Sequence, residues 1–297
     1  MKILLLGKNG QVGWELQRSL SVLGEVVAPE RGDPVLNGDL ANLESLRATV
    51  AQVAPQAIVN AAAYTAVDKA QSEPELAHTI NALASEVLAE EAVKLDAWLV
   101  HYSTDYVFDG SGQTPWSESD ATGPLSIYGQ SKLDGEKRIS ASGAKHLVFR
   151  TSWVYGAHGN NFLKTMLRLG AERPELRIVA DQIGAPTGAE LLADATAQAL
   201  RQALVGSPAL SGIYHLAASG ETDWCQYAQF VFEQARLWLP EQAFARTQAI
   251  TSAEYPTPAA RPHNSRLNTE LFQNTFGLRL PAWQEGVARV VQELLKR

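Results

Sequence analysis

The sequence predicts an α/β fold: a Rossmann-type, doubly wound parallel sheet with a smaller C-terminal substrate-binding lobe. Three observations carry this. Short apolar runs alternate with longer amphipathic stretches through the first half of the chain, as buried parallel strands and their covering helices do. A glycine pattern, Gly7-Lys8-Asn9-Gly10-Gln11-Val12-Gly13, falls between the first apolar run and the first helical stretch. After Thr151 the alternation loosens, and the last stretch is richer in aromatic residues and proline.

Taken in order, Ile3-Leu4-Leu5-Leu6 reads as a buried strand and Val12 to Leu23 has helical spacing. Glu25 to Ala28 reads as a strand, Leu43 to Val53 as a helix and Ala57-Ile58-Val59 as a third strand. A helix over about 75–94, a strand at Ala97 to Tyr102, a helix at Ser131 to Ile139 and a strand at His146 to Thr151 follow. Right-handed crossovers then leave a doubly wound sheet as the economical topology. A strand at Leu176 to Val179, a helix at Ala189 to Leu204 and a strand at Ile213 to Leu216 are expected to extend it. This assigns 1–150 and about 172–216 to a dinucleotide-binding domain, and about 151–171 and 217–297 to a substrate lobe.

Composition narrows the function classes. The 297 residues are 45% hydrophobic and 19% charged, ordinary for a globular protein, with a net charge of −7. An acidic chain lacks the electrostatic footprint for non-specific nucleic-acid binding. The single cysteine, Cys225, cannot form an internal disulfide, so a reducing compartment is expected. Only four apolar residues separate Lys2 from Gly7, too few for a signal-peptide core or a membrane span. The expectation is a soluble, cytoplasmic protein that binds no membrane.

In the glycine loop, Gly7 permits a tight turn, Gly10 lets backbone approach a pyrophosphate, and Gly13 lets the helix pack close to the strand. The N-terminus of that helix, at Gln11 and Val12, then faces the phosphates. Glu30 stands about 20 residues on, at the end of the second strand, where a carboxylate suits the free ribose hydroxyl of NADH. Its neighbour Arg31 suits the 2′-phosphate of NADPH instead, so the preference stays open. Asp39-Leu40 falls where an adenine would lie, although Asp39 reads equally as a helix cap. Ala62, Ala63, Tyr64 and Thr65 follow the third strand, where small residues let backbone pass close to the dinucleotide.

Tyr128 and Lys132 are four residues apart, hence on one face of a helix. A lysine ammonium there draws the phenol down from its usual value of about 10, which suits general acid–base catalysis. Thr104, at the end of the preceding strand, is placed to hydrogen-bond a substrate oxygen. The six histidines are scattered without metal-ligand spacing, and none is given a role.

These motifs resemble the extended short-chain dehydrogenase/reductase superfamily. Asn60 to Lys69, Ser103 to Gly110, Arg150 to Gly156, Asp181 to Thr187 and Arg261 to Ser265 bring the chain closer to the dTDP-4-dehydrorhamnose reductases. The resemblance implies NADPH- or NADH-dependent reduction of the C4 ketone of a dTDP-4-keto sugar, feeding rhamnose into surface polysaccharide. It implies Tyr128 as proton donor, Lys132 as its modulator and nicotinamide-ribose anchor, Thr104 as carbonyl partner, and Asp105 and Trp153 as sugar contacts. Similar enzymes can carry Mg²⁺ and act as homodimers. A 4,6-dehydratase would need glutamate after Asp105, where this chain has Tyr106. A 4-epimerase shares the Tyr/Lys pair, and a cofactor-binding regulatory subunit would have no use for it.

Overall fold

The computed structural model describes residues 1–206 and 208–296. The first strand, β1 (Lys2–Leu6), shows why its sequence is apolar throughout: Ile3 and Leu5 enter the core on one sheet face, Leu4 and Leu6 the core on the other. α1 (Gln11–Ser21), β2 (Glu25–Val27), α2 (Leu43–Val53) and β3 (Ala57–Asn60) follow. Two short helices, α3 (Val67–Ala70) and α4 (Pro74–His78), lead through a π-helical turn at Thr79–Leu83 into α5 (Ala84–Lys94). The sequence suggests one helix over 75–94; the π turn interrupts it. Then come β4 (Trp98–Thr104), α6 (Ile127–Ala141) and β5 (Lys145–Thr151).

The second half comprises β6 (Val154–Tyr155), α7 (Phe162–Glu172), β7 (Glu175–Val179), β8 (Ile183–Gly184), β9 (Thr187–Gly188) and α8 (Ala189–Val205). β10 (Gly212–His215), β11 (Thr222–Asp223), α9 (Trp224–Trp238), β12 (Arg246–Ile250), α10 (Glu270–Phe276) and α11 (Trp283–Leu295) complete it.

Six strands form the main sheet in the order β10-β5-β4-β3-β1-β2, and every pairing is parallel. The chain leaves β1 toward β2 and then returns across it to β3, so the strand order reverses between β1 and β3. Ligands of open α/β sheets bind at such a reversal, beyond the carboxyl ends of the strands. One core packs α1 and α8 on the sheet through Leu16, Leu20, Leu192 and Leu200; the other packs α2 and α5 through Leu46, Val50 and Leu88.

One expectation is corrected. β7, read as a further strand of the main sheet, pairs with β12 in a separate two-stranded sheet. Its residues Leu176 and Ile178 join Tyr227, Phe232 and Trp283 in a third core. The boundary near 172 therefore has no counterpart in strand pairing, whereas α8 and β10 do complete the main sheet and its cover. A β7-type run carries the same pattern whichever sheet it joins, and only the partner strand decides.

Candidate active site

The reversal point is lined by the loop after β1 and the loop after β3. Gly7 adopts φ +85°, and a β-carbon there would lie 2.6 Å from the Ala62 nitrogen. One on Gly13 would stand 2.0 Å from the Gly7 carbonyl oxygen, whereas one on Gly10 would find its nearest neighbour at 3.4 Å. Gly7 and Gly13 thus serve close packing, and Gly10 keeps the outer side open. No side chain caps α1, so the N–H groups of its first turn, including those of Gln11 and Val12, are left facing outward. This arrangement fits a pyrophosphate. Gln11 is also tied into the second half, where Asn161 donates to its Oε1 at 2.9 Å.

The residues expected around the adenosine end are already engaged. Glu30 pairs with Lys8 of the glycine loop at 3.1 Å, and Arg31 with Asp39 at 3.3 Å. Asp39 also accepts the Ala41 N–H, the cap-like turn foreseen as its other reading. The Leu40 side chain is buried in the core beneath α2, so only its backbone can face a ligand.

Beyond β3, Tyr64 is clamped by Asn81 from the π-helical turn. Asn81 accepts the Tyr64 N–H at 2.8 Å and donates to the Tyr64 carbonyl at 3.1 Å. Its amide also donates to Ser131 Oγ at 2.9 Å, and Ser131 donates to the Tyr128 carbonyl at 2.8 Å. The Ala62–Thr65 loop and the Tyr128 helix are thereby held by one side chain. The π turn has a function here, because it widens the helix where Asn81 must reach two neighbours.

Tyr128 lies in the first turn of α6, which Ser126 caps by accepting the Gly129 N–H. The Thr104 hydroxyl lies close enough to its phenol to favour the charged form. Thr104 in turn donates to Asp105 Oδ1 at 3.0 Å and accepts the Tyr106 N–H at 3.2 Å. Thr104 therefore caps the turn after β4 while its hydroxyl is held by Asp105. Burial pushes Tyr128 up to about 12, with the Thr104 hydroxyl opposing and Asp105 adding to the rise. The sequence suggests a fall driven by Lys132. Lys132 is instead turned to His101, its Nζ 3.0 Å from the imidazole Nε2, and burial pushes its ammonium down to about 8.

Asp105 is buried and pushed up to about 6, chiefly by desolvation, with Ser265 and Thr104 opposing. Its Oδ2, Ser103 Oγ and Thr151 Oγ1 are buried without hydrogen-bond partners. All three sit at the carboxyl ends of β4 and β5, where a ligand's polar groups would satisfy them. Trp153 holds φ +47°, unusual for a bulky residue, and stacks on Trp224 with ring centroids 3.7 Å apart. Trp224 and Tyr106 reach a cavity of about 980 Å³ whose rim carries Arg173, Arg177, Arg261 and His263.

The family model described as the RmlD substrate binding domain matches residues 1–296. The chain belongs to that family. It is 57% identical to the dTDP-4-dehydrorhamnose reductase of Escherichia coli K12, over 99% of this chain and 98% of that protein. The solved dTDP-4-dehydrorhamnose reductase from Clostridium acetobutylicum ATCC 824 superposes with a TM-score of 0.91 at 34% identity, covering 100% of both chains. The Bacillus anthracis Ames enzyme, solved in complex with NADP, gives 0.89 at 33%, covering 98% and 99%. The likeness read from the motifs thus extends over the whole RmlD-family chain.

Several site features of this RmlD-family member escaped the sequence reading. Asn81, Ser131 and Trp224 act through contacts between distant segments, and His101 carries no motif of its own. A metal site finds no support: among the described residues no group of three or more His, Cys, Asp or Glu side chains could hold an ion. Glu190 has Glu15 and Glu293 in electrostatic range but is paired with Arg289 at 2.7 Å. No helix among the described residues is long and apolar enough to cross a membrane.

Proposed function

We propose that this chain reduces the C4 ketone of dTDP-4-dehydro-β-L-rhamnose, using NADPH or NADH. The observation that carries the reading is the buried cluster of Tyr128, Thr104 and Asp105 beside a glycine loop shaped for a pyrophosphate. The names of the relatives and the NADP complex support the same substrate and cofactor class.

The cofactor, when bound, supplies the hydride. Tyr128, held as the neutral phenol by burial, is in the form needed to donate a proton to the nascent alkoxide. Thr104 steadies that oxygen when its hydrogen swings from Asp105 to the substrate. Lys132, one helical turn on, anchors the nicotinamide ribose and restores the proton balance of Tyr128. The unpartnered Asp105 Oδ2 receives a sugar hydroxyl, and Trp153, braced on Trp224, closes over the ring. Gly10 and the first-turn N–H groups at Gln11 and Val12 hold the pyrophosphate, in a turn that Gly7 and Gly13 let close. Glu30, Asp39, Leu40, Ala62, Ala63, Tyr64 and Thr65 line the rest of the dinucleotide. Arg173 on the rim, with Arg177 and Arg261 held there by Glu254 and Asp68, would meet the diphosphate of the nucleotide sugar. A second copy of the chain and a cytoplasmic location belong to the proposal through family likeness.

The deciding assay follows the absorbance of NADPH and of NADH, with the keto sugar made in situ. Consumption that depends on the keto sugar is expected. Cofactor binding without consumption would overturn the reductase reading.

A further inference from the structure

We infer that His101, held in a single tautomer by Asn60, is a positioning residue that favours the neutral amine of Lys132 in the cofactor-free chain. The inference rests on the catalytic reading of Lys132 and adds what sets its charge.

The geometry comes from sheet register. Asn60 of β3 and His101 of β4 are directly paired, and Lys132 approaches from α6. All three are buried, at 1%, 1% and 2% exposure. Asn60 Nδ2 lies 3.1 Å from His101 Nδ1, and His101 Nε2 lies 3.0 Å from Lys132 Nζ. The other end of the Asn60 amide is committed, since Oδ1 accepts the Ala62 N–H at 3.2 Å. A backbone N–H can only donate, so the oxygen must face Ala62 and the NH₂ must face His101. An amide NH₂ also only donates, so Nδ1 must be the bare, accepting nitrogen.

A neutral imidazole then carries its hydrogen on Nε2, aimed at Lys132. An ammonium has three hydrogens and no lone pair, so it would meet that N–H donor to donor. A free amine accepts it. The alternative, with hydrogen on Nδ1, would set two donors against each other at Asn60 or cost the Ala62 bond by flipping the amide. Either arrangement leaves a buried donor without an acceptor, which is costly. Burial, the larger cause, holds the imidazole well below its ordinary value and hence neutral.

Other charges around the pair are accounted for. Glu136, one turn on in α6, favours the ammonium but is locked to Arg150 of β5 at 2.7 Å. Tyr128, one turn back, is a neutral phenol. On the elements packed against α6, Glu86 pairs with Arg138, Glu73 with Lys69, Asp68 with Arg261, and His78 faces Asp134.

The test is kcat/KM for NADPH against pH, for the unaltered enzyme and for His101→Gln, because that ratio reports groups of the cofactor-free enzyme. A glutamine can turn its carbonyl to Lys132 and accept from an ammonium. The alkaline limb should therefore move upward by at least about one pH unit. A limb that stays in place, with or without a fall in turnover, overturns the inference. If His101→Gln does not fold, nitrogen-15 NMR of the unaltered protein reads the tautomer directly, the ring being identified by cross-relaxation with the Asn60 amide. Hydrogen on Nε2 is expected, and hydrogen on Nδ1 overturns the inference. Lys132→Met probes the underlying reading separately: full turnover there would remove Lys132 from the chemistry and leave the tautomer result standing.

Discussion

Tyr128 and Asp105 are both moved by burial, and each leads to a prediction at its own atoms. Tyr128→Phe removes the proton donor but not the ring, so cofactor affinity should hold while turnover falls by at least about two decades. Titration calorimetry and steady-state rates on one preparation measure both. Asp105 has a folded value near 6 against an ordinary 3.8, so folding favours its protonated form. Its contribution to stability is whole below pH 3.8, declines as pH rises, and is lost above about 6. Asp105→Asn should therefore stabilise the free protein at pH 7–8 by on the order of 3 kcal/mol, and the gain should vanish near pH 3.5. Urea unfolding at the two pH values tests this; an equal gain at both would contradict it. Residue type and spacing suggested Tyr128, Lys132 and Thr104, whereas Asp105 and Trp153 entered only through the family resemblance. The direction of the Tyr128 shift was not legible, because it depends on where Lys132 points.

The βα turn is the element whose sequence and geometry agree most closely. Gly13 and Gly10 look alike in the motif but do different work. A β-carbon on Gly13 meets backbone at 2.0 Å, while one on Gly10 has 3.4 Å of room. Gly13→Ala should push α1 off β1 and destabilise the chain by about 1–3 kcal/mol or more. Gly10→Ala should unfold near the parent midpoint yet bind NADPH more weakly. Denaturant melts and cofactor titrations on both variants separate the two roles, and equal behaviour would refute the distinction. The helical stretch before β4 was legible only in part. Its periodicity marks a helix, but the π turn that aims Asn81 at Tyr64 and Ser131 answers to neighbours far along the chain.

At the scale of the molecule, the second half reaches back over the glycine loop. His158 stacks on Trp14 with centroids 4.4 Å apart and 7° between planes, and its Nε2 meets the Asn9 carbonyl at 3.0 Å. Asn161 bonds Gln11 from the same segment. Such a strap would slow the departure of a dinucleotide. His158→Ala should raise the NADPH dissociation constant about two- to tenfold, the worth of an aromatic stack, through a faster off-rate. Stopped-flow displacement measures this, and an unchanged off-rate would discount the strap.

The sequence by itself determined the parallel sheet, the glycine turn and the order of the candidate catalytic side chains. These follow from local rules: apolar runs buried on both faces, glycine where backbone crowds backbone, and residues four apart sharing a helix face. Tertiary structure alone decided that β7 leaves the main sheet for β12, that Trp224 braces Trp153, and that Lys132 meets His101. Each of those depends on which distant segment arrives as neighbour, and a periodicity is the same whatever it packs against.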